Sequence, residues 1–202
     1  MDAFITGVVA GFGIAIPVGA IAILIFEIGI RRGLQPAFFA GAGAATADFL
    51  YAVLAVFGGS VLASAVESIG SPLRIVSALV LAVIALAGLA RVRRQIEPAP
   101  NNPSTGDLSR TYARILGLTL VNPTTVVYFA AVVIGLGIAE GMNAGDGALF
   151  VIGAFLASLS WQTVLAAAGA LAGKRLPAGA RTLVSVLGNG LILVFAVVIL
   201  SS

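Results

Sequence analysis

The chain has 202 residues, 60% of them hydrophobic and only 9% charged, where an ordinary soluble domain carries roughly 25% charged residues. Too few polar side chains are present to coat a water-soluble globule of this length, so a soluble enzyme is excluded, as is a disordered or collagen-like chain. The net charge is only +3, too small to mark a nucleic-acid partner.

The chain contains no cysteine and no histidine. Disulfides and thiol redox chemistry are therefore excluded, and a haem, copper or zinc site would lack its usual nitrogen and sulfur ligands. No cofactor and no metal site is expected. Six apolar runs stand at 4–27, 36–63, 72–91, 112–138, 147–172 and 182–200. Each is continuous and near the ~20 residues a helix needs to cross about 30 Å of hydrocarbon. Barrel strands would alternate over about 10 residues, and these runs do not. The expected class is an all-α membrane protein with six transmembrane helices, its bilayer the first partner.

The first run follows Met1-Asp2-Ala3, without a basic start, and is long for a cleaved signal, so it reads as a retained span. Near its centre stands Ile16-Pro17-Val18-Gly19. Proline removes a backbone donor and clashes with the preceding turn, so the helix breaks there. A helix restarting at Gly19 offers N–H groups and a positive dipole end, and glycine lets a ligand approach the backbone closely. Glu27 and Arg31, four residues apart at the end of this span, have the spacing of a helical ion pair.

The second run carries Asp48 near its centre, with Tyr51 one turn on. A carboxylate in the bilayer is costly unless it faces a cavity, finds a partner or is protonated, so Asp48 is the candidate coupling residue. Arg74, after Pro72 at the start of the third run, is placed to snorkel to the interface. Residues 95–110, QIEPAPNNPSTGDLSR, form a polar linker with no apolar periodicity. The fourth run contains Val121-Asn122-Pro123-Thr124-Thr125, a second break, with Tyr128 one turn beyond Thr124. The fifth holds Ser158, Ser160, Trp161 and Gln162, where the indole can meet an ammonium group by cation–π contact or simply fill space. Asn189 in the sixth run is a weaker polar candidate.

Ten of the eleven basic residues fall in or beside the first, third and fifth loops: Arg31 and Arg32; Arg91, Arg93, Arg94, Arg110 and Arg114; Lys174, Arg175 and Arg181. The loops at 64–71 and 139–146 hold Glu67, Glu140 and Asp146 and no Lys or Arg. The positive-inside rule places the basic loops in the cytoplasm and both termini outside. The linker divides the chain into a first three-helix half, 1–94, and a second, 111–202. Three spans per half makes the halves inverted, and the two breaks fall in the first span of each, which is a pointer to a transporter's binding site. The pairs Gly7/Gly11, Gly29/Gly33 and Gly169/Gly173 have small-xxx-small spacing, which permits close helix approach within a bundle or across a homodimer.

These residues together resemble the LysE/RhtB type of amino-acid exporter, a family of small six-helix inner-membrane proteins of bacteria. The resemblance rests on Pro17 and Gly19, on Gly29-Ile30-Arg31-Arg32-Gly33-Leu34 followed by Gly41 and Asp48, and on Asn122-Pro123. It departs from the family where Pro17-Val18-Gly19 replaces proline-glycine-proline and where Thr124 stands in place of a frequent lysine. Those departures bear on substrate more than on fold. The resemblance implies a secondary exporter of amino acids in the bacterial inner membrane. Its expected substrate site comprises Pro17, Gly19, Tyr51, Asn122, Pro123, Thr124, Thr125, Tyr128 and Trp161, with Asp48 for coupling. The competing readings are an effluxer of metal cations or other small metabolites, disfavoured by the missing His and Cys, and a membrane scaffold without transport. No nucleotide-binding loop and no nucleophile–base constellation is present, so neither an ATP-driven pump nor a membrane hydrolase is expected.

Overall fold

The computed structural model describes residues 2–16, 19–58, 75–76, 78–90, 104–122, 125–126, 129 and 142–201. Among them every element is helical. The first apolar run is two helices, α1 (Ala3–Ala15) and α2 (Ala20–Arg32), which meet at 78° across the break. At 1.5 Å per residue each is about 20 Å long, too short to cross a bilayer alone. Asp2 caps α1 by accepting from the Phe4 N–H at 3.1 Å, whereas α2 starts at Gly19 with no side-chain cap. Gly33, at φ +85° and ψ −174°, then turns the chain into α3 (Leu34–Phe57). Of the three glycine pairs, this member therefore serves a turn and not a helix contact.

The third run is seen as α4 (Ala78–Ala90). The following helix, α5 (Thr105–Leu120), begins inside the stretch read as linker. The reason is a capping box: the Ser104 hydroxyl accepts from the Asp107 N–H at 3.3 Å, and Asp107 accepts from the Ser104 N–H at 3.3 Å. The same serine, first through its hydroxyl and then through its backbone, holds the Asp107 carboxyl below the usual carboxylate range. The chain ends with α6 (Ala144–Arg175) and α7 (Ala178–Ser201). Two described helices, α3 and α6, are long and apolar enough to cross a membrane, and the bent α1–α2 pair counts as a third.

Helix α6 is the centre of the bundle, packed against α1, α2 and α3, while α5 packs against α3. Small residues set these approaches. A Cβ added at Gly7 or Gly11 would overlap the backbone of Phe150 or Ala154 on α6; one at Gly169 or Gly173 would overlap the backbone of Phe26 or Ile30 on α2. The glycine spacing is thus used inside one chain, where backbones can close on each other without a hydrophobic drive. Larger side chains point the other way: Val9 is 66% exposed, Leu54 45% and Val164 55%, as a lipid-facing perimeter requires.

Two apolar clusters form the interior. One gathers Leu24 and Ile25 of α2, Ala40 and Ala44 of α3, Ile115 of α5 and Ile192 of α7. The other gathers Ala10, Tyr51, Ala52, Phe129, Phe150 and Ala154. Along α3, Asp48 falls between them.

Candidate functional site

A cavity of about 60 Å³ opens beside Asp48, where α1, α2, α3, α5 and α6 converge. Both sequence breaks contribute to it: Gly19 from the first, and Asn122 and Thr125 from the second. Residues a hundred positions apart are brought to one place because α1 and α2 pack on α6, α2 and α5 pack on α3, and α3 itself packs on α6.

The carboxylate is buried, and its one side-chain partner among the described residues is the Ser158 hydroxyl, which donates to Oδ2 at 2.6 Å from α6. A carboxylate has about four acceptor positions, so one donor leaves it underused. Among the described residues the single ion pair joins Arg31 to Glu27, so no cation neutralises Asp48. The side-chain oxygen of Gln162, one helical turn from Ser158 and lining the same cavity, is buried with no donor among the described residues. Unmade buried hydrogen bonds cost about 1–3 kcal/mol each. This side of the cavity therefore presents two acceptors in want of donors.

The start of α2 offers donors to the same cavity. The first N–H groups of any helix lack partners within it, and Gly19 supplies no capping side chain to α2, whose Ile21 and Ala22 line the cavity. On the second break, α5 stops at Leu120; the Asn122 carbonyl then accepts from the Thr125 and Val126 N–H groups at 3.1 and 3.3 Å, starting a new helical turn. Thr125 and Thr119, both buried, also line the cavity.

Gly19, Asp48, Asn122 and Thr125 thus share the cavity. Pro17, Pro123, Thr124 and Tyr128 lie outside the described residues. Tyr51 is not among the lining residues: its hydroxyl donates to the Leu120 carbonyl, and its ring stacks on Phe129 at 5.6 Å. It satisfies one of the open carbonyls at the end of α5, beside the second break. Trp161 is also not part of the lining; its neighbour Gln162 is, because successive helical residues are about 100° apart. Asn189 belongs elsewhere, donating to both carboxylate oxygens of Glu27 at 2.9 and 3.0 Å. The Glu27–Arg31 pair expected from spacing is present at 2.9 Å. Thr119 escaped the sequence reading; its place one turn before Asn122 is the signal that could have found it.

The model of the LysE type translocator family matches residues 12–202, nearly the whole chain. No curated protein and no solved structure matches the chain.

Proposed function

From the chain's membership of the LysE type translocator family, we propose that it is a secondary exporter moving amino acids, or similar small zwitterions, out of the bacterial cytoplasm. The observation that carries this reading is the meeting of both helix breaks on one cavity that also holds a buried, uncompensated carboxylate. Open N–H groups at the start of α2 and acceptors at Asp48 and Gln162, lining one cavity, match a zwitterion. The substrate carboxylate rests on the α2 start at Gly19 and on the turn at Asn122–Thr125, where the helix dipole favours negative charge. The ammonium group meets Asp48 and the Gln162 oxygen, and Asp48 is also the site where a coupling proton is taken up and released.

Alternating access follows if the half before the linker rocks against the half after it, opening the cavity first to one side and then to the other. The six-span inverted arrangement, the basic loops on the cytoplasmic face and the inner-membrane location belong to the same proposal. The metal-cation reading has less support, because Asp48 is the one carboxylate among the lining residues and its neighbours are hydroxyls and amides.

The test is efflux of a labelled amino-acid panel from preloaded cells, with the wild-type chain and with Asp48→Asn at equal membrane abundance. Faster efflux of one or a few amino acids, lost in the variant, is the expected result. No change across the panel with the wild-type chain present would overturn amino-acid export.

A further inference from the structure

A second cavity, of about 140 Å³, lies toward the end of the bundle where α2 finishes and α5 begins. It follows α2 from Leu24 to Arg32 and α5 from Thr111 to Ile115. The Asp48 cavity touches the same two helices further along, at Gly19, Ile21 and Ala22 and at Thr119. The step from Ile115 to Thr119 is one helical turn, about 6 Å. The two cavities are therefore successive along the α2–α5 seam, with Leu24, Ile25 and Ile115 of the apolar core between them.

Its charges are unequal. Glu27 is satisfied: Arg31 pairs with it at 2.9 Å and the Asn189 amide donates to both its oxygens, while Arg31 Nε also donates to Ser185 Oγ at 3.1 Å. That group is neutral as a whole. Arg32 uses Nη1 on the Thr111 hydroxyl at 3.1 Å, but its Nε is buried with no partner among the described residues. Arg114, exposed at the rim of the same cavity, has no ion pair among the described residues. Asp107, whose carboxyl feels the charge of Arg32, is taken up by the Ser104 capping box at the surface. Arg32 and Arg114 thus line one cavity with no ion pair of their own among the described residues, beside a Glu27 carboxylate already taken by Arg31. A guanidinium fork is matched by the two oxygens of a carboxylate.

We propose that this cavity is the loading site for a small carboxylate-bearing substrate, whose carboxylate docks on Arg32 and Arg114 before the molecule passes along α2 and α5 to Asp48. The inference rests on the exporter reading for its direction, but the anion site can be tested without transport. The full-length protein in phosphatidylcholine vesicles is treated with phenylglyoxal, which modifies accessible arginines, and each arginine is followed by peptide mass spectrometry. Acetate is the probe. Acetate should slow modification of Arg114, and of Arg32 where it reacts, at least threefold, while Arg110 and Arg175 keep their rates.

Protection of all four arginines alike, or of none, would overturn the site. Protection by inorganic phosphate but not by acetate would overturn the carboxylate assignment, as would protection that appears without acetate once phosphatidylglycerol is added. In efflux, Arg114→Gln should raise the substrate concentration for half-maximal rate at least threefold with the maximal rate within twofold, and Arg114→Lys should restore part of it. A fall in maximal rate alone would overturn the loading role. The two proposals fail separately. If Asp48→Asn abolishes export while acetate leaves Arg114 unprotected, only the loading site falls; if Arg114 is protected while no amino acid is exported, the exporter reading and the loading role fall and the anion site stands.

Discussion

Replacing Gly169 by alanine puts one methyl group where the backbone of Phe26 already stands. No side chain can rotate to make room, because the atoms in the way are the carbonyl, carbonyl carbon and Cα of α2. Helices α2 and α6 must separate, which also loosens Gly29 against Ala170 and Gly173 against Ile30 on the same seam. Overpacking of this kind costs about 1–3 kcal/mol, offset by about 1 kcal/mol of helix propensity that alanine gains over glycine. Because the obstruction is backbone, the cost lies at the upper end of that range; the net loss is on the order of 2 kcal/mol, and at about 2–4 °C per kcal/mol for a chain of this size the melting temperature should fall by about 4–8 °C. Gly117 on α5 is the control: a Cβ there meets no atom within 4 Å, so Gly117→Ala should hold or raise the melting temperature. Thermal unfolding in one detergent, followed by the fluorescence of the single tryptophan, Trp161, measures both. A Gly169→Ala protein as stable as wild type, or equal losses at both positions, would refute backbone contact as the reason for the glycine.

Three further predictions rest on single contacts. Tyr51→Phe leaves the Leu120 carbonyl without its donor, so stability should fall by about 1–2 kcal/mol and efflux should fall through the misplaced break; unchanged values for both would remove Tyr51 from this role. Gly33→Ala forces a side chain into a region that is essentially reserved for glycine, at about 1–3 kcal/mol, visible as a lower melting temperature; no shift would mean the turn relaxes freely. Because Asp107 has its pKa depressed in the folded chain, its capping contribution is complete above the ordinary carboxylate pKa of about 4 and is lost as pH falls through the folded value. Exchange of the Leu108 amide, which bonds the Ser104 carbonyl at 3.2 Å, should therefore speed up on acidification beyond its intrinsic pH dependence, and should not do so in Asp107→Asn.

Composition by itself determined the solvent of this protein, because 9% charged residues cannot cover a surface in water. Proline chemistry located both breaks: α1 ends at Ala15, two residues before Pro17, and α5 stops at Leu120, two residues before Asn122-Pro123. Spacing alone gave the Glu27–Arg31 pair, a contact within one helix. Only the tertiary structure decided what lies across helices. Asp48 meets Ser158 over 110 residues, and Glu27 meets Asn189 over 162. No periodicity along one helix encodes which turn of another will face it. The same limit explains the aromatic residues: Tyr51 reaches a carbonyl on α5, and Trp161 turns aside while Gln162 takes the cavity wall. Which side of α6 faces the cavity is set by where its glycines let α1 and α2 approach, a property of three helices at once.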